Sequence, residues 1–216
     1  MDAVHLVRPD RPDAPELVGA LLEFLPPDVR VVLLSEQDDD EIGADGWAPR
    51  VECAVRSSGR PWTVLRPSWF MQVVTDPRYY RGAVVDDGEL PFADGGADIA
   101  WIDARDIAAV AAHALLGDGH AGQTYELTGP EALSLPRTAE LIGRAIGRPV
   151  AHRERTIAET VGGSDGFDRE LTELTSGRVR DGVFAPVTDV VERVTGRPAG
   201  TLEQFLADAG PELRTP

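Results

Sequence analysis

The chain has 216 residues, 42% of them apolar and 27% charged, a composition that supports a packed globular core. Its net charge is -16 and all 21 basic residues are arginine, which excludes Schiff-base, Walker and any other lysine chemistry. The acidic balance argues against nucleic acid or anionic membranes as partners, and the lone Cys53 suits a reducing cytoplasm.

In chain order, "AVHLV" (3–7) is a continuous apolar run, as in a strand covered on both faces. A helix follows, with Asp13 placed to cap it, Pro15 in its first turn and Glu16 at capping-box spacing. Leu17, Val18, Leu21, Leu22 and Leu25 fall on one face of that helix. "VRVVLL" (29–34) is a second buried strand, and "PRVECAVRSSG" (49–59) a helix with Val51, Ala54 and Val55 inward. "WTVL" (62–65) gives a third strand, "IAWI" (99–102) a short one, and residues 105–116 a helix capped by Asp103 or Asp106. "TYELTG" (124–129) is a further strand, and a helix runs from Pro136 to Gly147. Beyond residue 153 the pattern is helical and more polar, with a Thr201…Gln204 capping box. Strands separated by helices imply an α/β fold with a parallel sheet over 1–130 and a smaller, mostly helical cap over 131–216. No run reaches the roughly 20 apolar residues of a membrane span, and no signal-peptide pattern opens the chain.

Four segments carry a family resemblance: "RSSGRPWTVLRPSWFMQ" (56–72), "IAWIDARDIAAVAAHAL" (99–115), "AGQTYELTGPEALSLPRTAELIGRAIGRPV" (121–150) and "VTGRPAGTLEQFLAD" (194–208). Together they resemble the NmrA-like branch of the atypical short-chain dehydrogenase/reductases, and its azoreductase-like members in particular. That resemblance implies a Rossmann-like sheet whose first strand, glycine-rich turn and helix bind a dinucleotide pyrophosphate. Here no G-x-x-G-x-x-G or G-x-G-x-x-G precedes "DAVHLV", so the sheet is expected to be a truncated one that starts at the family's fourth strand. The family's tyrosine and lysine are also missing from "SEQDDDEIGADGWAPRVE", where Trp47 and Arg50 stand instead. From these absences neither NAD nor NADP is expected to bind.

Ligands of open parallel sheets lie beyond the carboxyl ends of the strands, which here supply Arg8, Ser35, Glu36 and the stretch Arg66–Gln72. Glu36 and Asp38 are candidates for proton transfer, and His5 is a third if its ring points to that end. Ser35 matches the position of the family's active-site serine and would orient a substrate oxygen. Substrate contacts are expected from Arg8, Trp47 and Arg66, from an apolar wall of Trp69, Phe70 and Met71, and from Gln72, Tyr79 and Tyr80. Solvated loop and core packing are the competing readings of the acidic run and of that wall. Consecutive Asp38, Asp39 and Asp40 diverge, and no histidine has metal-site spacing, so no metal is expected.

The function these residues suggest is cofactor-independent acid–base catalysis on a small, oxygenated, largely apolar metabolite of specialised metabolism: an isomerase, cyclase, dehydratase or other lyase, or epoxide-opening enzyme. A ligand-binding or regulatory protein is the first alternative, and a fragment of an NAD(P)-dependent reductase the second. An apolar strand over 3–7 at a sheet edge invites pairing, so a homodimer, or cover by the carboxyl-terminal segment, is expected.

Overall fold

The computed structural model describes residues 2–37 and 46–213, apart from the side chains of Pro211 and Glu212. It divides into two compact units that interleave along the chain. The first comprises residues 1–67, 105–127 and 190–197, and the second residues 68–104, 128–189 and 198–216.

The first unit holds a parallel sheet of β1 (Ala3–Val7), β2 (Arg30–Leu34), β3 (Trp62–Pro67) and β5 (Gln123–Leu127), in the spatial order β1-β2-β3-β5. Leu33 pairs with Val64 in register, and both are fully buried. Helices α1 (Ala14–Phe24) and α2 (Trp47–Arg56) cover one face, where Val18, Leu22, Val51 and Val55 pack on Val31, Leu33 and Val64. Val32 and Leu65 alternate to the opposite face and are equally buried, so β2 and β3 are covered on both sides, whereas β1, expected to be covered likewise, lies at the end of the strand order with none of its residues buried and His5 and Val7 exposed. The unit also contains α3 (Ala104–Leu116) from Arg105 onward and α7 (Val190–Thr195). Arg30 of β2 donates to the Ala114 and Leu115 carbonyls at the end of α3, each at 3.1 Å.

Two local expectations are corrected here. Asp13 occupies the N-cap position of α1 but makes no side-chain cap bond, because Arg11 holds it. Glu16 likewise bonds Arg50 of α2 at 2.7 Å. The buried stripe of α1 is Ala14, Val18 and Leu22, while Leu17 and Leu21 are exposed.

The second unit contains β4 (Glu89–Phe92), α4 (Leu135–Ile146), β6 (Ala151–Glu154), α5 (Ile157–Val161), α6 (Gly166–Arg180) and α8 (Leu202–Leu213). Strands β4 and β6 form a parallel pair, with Leu90 opposite His152 and Phe92 opposite Glu154. α4 packs on α8 and on β6. Ser134 caps α4 by accepting from the Arg137 N–H, and Gly147 closes it in the left-handed region at φ 78°. The Thr201…Gln204 box forms as expected. "IAWI" is not a strand: Ile99 and Ile102 make isolated bridges to Leu133 and Phe70. Its core includes Met71, Leu90, Trp101, Leu135, Ile142 and Leu206. Trp101 donates its indole N–H to Thr138 at 3.1 Å.

Candidate functional site

In the first unit the predicted residues gather at the carboxyl end of β1 and β2. Ser35 and Gln37 continue β2, their N–H groups bonding the carbonyls of Leu65 and Pro67, and both side chains are buried. Glu36, between them, turns to Arg8, whose Nη1 lies 3.3 Å from Oε1. The Arg8 guanidinium also lies 4.3 Å from the centre of the Trp47 ring, a cation–π contact, and 3.7 Å from Asp10. Arg8, Glu36 and Trp47 thus form one assembly, with Ser35 and Gln37 beside it. Asp10 was not anticipated. Partial burial raises its carboxyl pKa, Arg8 pulls it down and Glu36 pushes it up, for a net upward shift. The signal available was position alone, two residues beyond Arg8.

Two predicted residues stand apart from that assembly. His5 is exposed at mid-strand, its Nδ1 3.2 Å from the Val32 carbonyl, short of the strand's carboxyl end. Arg66 is committed inside the unit, where Nε and Nη2 bond the two Glu52 oxygens at 2.9 and 2.8 Å and Nη1 reaches Glu126. It is a clamp joining α2, β3 and β5. Asp38 lies outside the described residues.

In the second unit Trp69 meets Phe92 and Phe184 edge-on at ring separations of 5.2 and 5.3 Å, and Tyr80 packs on Phe92 at 5.3 Å. The buried Nε1 of Trp69 has no hydrogen-bond partner among the described residues. Burial pushes the Tyr80 phenol well above its ordinary value, so it stays protonated. Met71 is core, Phe70 is half-buried through its bridge to Ile102, and Tyr79 is exposed under Arg78. Gln72 donates to Asp103 at 2.9 Å and accepts from the Ala104 N–H at 3.1 Å, which satisfies a free donor at the start of α3. Asp106 also pairs with Arg197 at 2.9 Å.

No family model matches the chain. It is 33% identical over 216 residues to the NAD(P)H azoreductase of Xenophilus azovorans, covering 95% of this chain and 74% of that protein. It is 32% identical to a (4-alkanoyl-5-oxo-2,5-dihydrofuran-3-yl)methyl phosphate reductase of Streptomyces griseus, covering 96% of this chain and 76% of the relative. The fold superposes with a TM-score of 0.78 on the quinone oxidoreductase QOR2 of Escherichia coli in its NADPH complex, at 21% identity, covering 96% of this chain and 76% of that one. The sheet is therefore Rossmann-like.

These relatives overturn the reading of a cofactor-independent isomerase, cyclase, dehydratase, lyase or epoxide-opening enzyme. They are reductases, one named for NAD(P)H and one solved with NADPH. The expectation that NAD(P) binding is lost falls with it. Both had rested on a missing glycine motif and a missing tyrosine–lysine pair, and a likeness extending over 95% of the chain outweighs those absences. The chain belongs to the NmrA-like branch of the atypical short-chain dehydrogenase/reductases, among the azoreductase-like members that its four signature segments resemble.

Proposed function

We propose that the protein is an NAD(P)H-dependent oxidoreductase that reduces a flat, conjugated small molecule of the quinone or azo class. The observation that carries this reading is the 33% identity to an NAD(P)H azoreductase across 95% of the chain. The aromatic cluster around Trp69 suits that substrate class by its apolar, ring-rich composition. The indole N–H of Trp69 is a donor for a quinone oxygen or an azo nitrogen.

The described residues fit the dinucleotide in part. The β1–α1 connection offers no cradle for a pyrophosphate: Pro9 and Pro12 lack N–H groups, and Asp10, Asp13 and Glu16 bring negative charge to the start of α1. The end of β2 is better matched, and Ser35 and Gln37 would hold the carboxamide of a nicotinamide ring. A nicotinamide, when bound, supplies hydride. The chain's own part there is to keep Arg8 as a fixed positive charge, braced by Glu36 and Trp47, beside developing negative charge.

Steady-state oxidation of NADH and NADPH in the presence of quinones and azo dyes tests the reading. Turnover with at least one acceptor is expected, and Trp69→Phe should raise KM for the acceptor more than it lowers kcat. Failure of the purified chain to oxidise either coenzyme with any acceptor of these classes would overturn it.

A cytoplasmic homodimer completes the proposal. Cys53 is a free, exposed thiol, which suits a reducing compartment. β1 pairs only with β2 among the described strands, so its outer edge carries backbone groups that a second copy can bond. Light scattering behind size exclusion reads the assembly directly, and a monomer at micromolar concentration counts against the dimer.

A further inference from the structure

The second unit contains a side-chain cluster that the reductase reading does not use. On β6, His152 and Glu154 are two residues apart and so project from the same face. Asp94, two residues past the end of β4, joins them: its Oδ1 lies 2.9 Å from His152 Nε2, which is 3.8 Å from Glu154 Oε2. All three ligand atoms lie within 4.8 Å of one another.

The short contact between Asp94 and His152 is not a hydrogen bond. The two atoms approach outside hydrogen-bonding geometry, and both are buried with no hydrogen-bond partner among the described residues. Asp94 as a whole is 2% exposed. Two buried donor atoms this close with no hydrogen bond between them can both serve as ligands of a third atom. The tetrahedral edge around a zinc ion with bonds of about 2.0–2.1 Å is about 3.4 Å, and 2.9 and 3.8 Å bracket that value.

The carboxylates are also held as ligands are held. The Gly96 N–H bonds Asp94 Oδ2 at 3.1 Å, and the Gly95 N–H bonds Glu154 Oε1 at 3.1 Å. Each acid therefore has one oxygen fixed by the 94–96 turn and the other turned to His152. Such outer bonds fix ligand orientation before a cation arrives. Gly95 sits at φ 60° and a Cβ there would approach Arg180 Nε to 2.9 Å, so the turn is built for glycine.

We infer that Asp94, His152 and Glu154 form a binding site for a divalent transition cation of the zinc type. Glu154 is half-exposed, so the fourth position opens to solvent and takes a water. An imidazole with two carboxylates favours zinc, cobalt or nickel over magnesium, which demands an oxygen octahedron. The bound ion would tie the turn after β4 to β6. Sequence spacing could not announce it, because H-x-E on a four-residue strand finds its third ligand 58 positions earlier in the chain.

The test is a Co2+ titration of the whole, chelator-treated protein, read by visible absorption and by the paramagnetically shifted imidazole resonances. One equivalent is expected to produce tetrahedral d–d bands and a shifted His152 signal, both abolished by excess Zn2+ and unaffected by Mg2+. Glu154→Gln, at a half-exposed position that does not threaten folding, should weaken binding by at least the roughly 10–100-fold that lost outer contacts cost. His152→Gln should remove the spectrum, and His120→Ala should leave it intact. Absence of saturable Co2+ binding in the unmodified chain would overturn the site. Full binding retained in both Glu154→Gln and His152→Gln would overturn it too. Because the readout is binding, it stands apart from the fate of the reductase proposal.

Discussion

Arg66 and Glu52 meet through two charge-assisted bonds of 2.9 and 2.8 Å, with the side chains 5% and 3% exposed. Glu52 also takes Arg56, one turn along α2, at 2.7 Å, and Arg66 also reaches Glu126 on the neighbouring strand. The network fastens helix to sheet in the first unit, and it accounts for a buried arginine that the sequence places at a strand's carboxyl end.

Breaking such a pair from one side leaves a buried charge uncompensated, at a cost of about 3–5 kcal/mol, whereas replacing both partners by apolar groups is often neutral. Glu52→Gln is therefore expected to lower the urea midpoint sharply, with Glu126 softening the loss. The Glu52→Leu/Arg66→Met double variant should recover most of it. Equilibrium unfolding of the three proteins checks both statements, and a double variant no better than Glu52→Gln counts against the clamp.

Gly129 carries the tightest backbone approach in the second unit: a Cβ at that position would lie 2.0 Å from the Trp101 carbonyl oxygen. Backbone cannot yield as a side-chain tip does, so Gly129→Ala should destabilise by at least the ~1–3 kcal/mol typical of overpacking. Thermal unfolding measures it, with Gly163→Ala, where nothing lies within 4 Å, as the control.

Much of the sheet was legible because strands buried on both faces are written as unbroken apolar runs. Residues 30–34 and 62–65 fall in strands for that reason, whereas residues 3–7 carry the same apolar pattern in a strand with none of its residues buried. The inward face of α1 was read too widely: five apolar positions were assigned to it, yet Leu17 and Leu21 face water. Strands β4 and β6 have four residues each, too few for a periodic signal, and "AHRE" is largely polar. At the candidate site, Arg8, Ser35 and Glu36 were singled out by their positions after strand ends, Ser35 also by the family resemblance. The partners of Arg66 were not, because Glu52 is brought to it by the packing of α2 on the sheet and Glu126 by the strand order. Gln72 illustrates the same limit, since its bond to the Ala104 N–H spans 32 residues.

Tyr80 gives a pH prediction with a definite sign. Burial raises its folded-state pKa above the ordinary 10.0, so folded protein holds the phenolic proton after unfolded chain has lost it. Below pH 10.0 both states are protonated and stability is unaffected by this group. Above it the unfolded state gains by ionising, and stability falls as pH rises toward the folded value. Denaturation between pH 9 and 11 should show that fall, and Tyr80→Phe should flatten it. An identical slope in the variant would assign the alkaline loss elsewhere.

The most direct test of the reductase account is a single-turnover reaction of the purified chain with NADPH, or NADH, deuterated at the transferable C4 position, and a quinone or azo acceptor. The account predicts coenzyme oxidation matched by acceptor reduction, and a slower rate with deuterium than with protium. Acceptor reduction with no coenzyme consumed, or no reaction above the protein-free control, would contradict it.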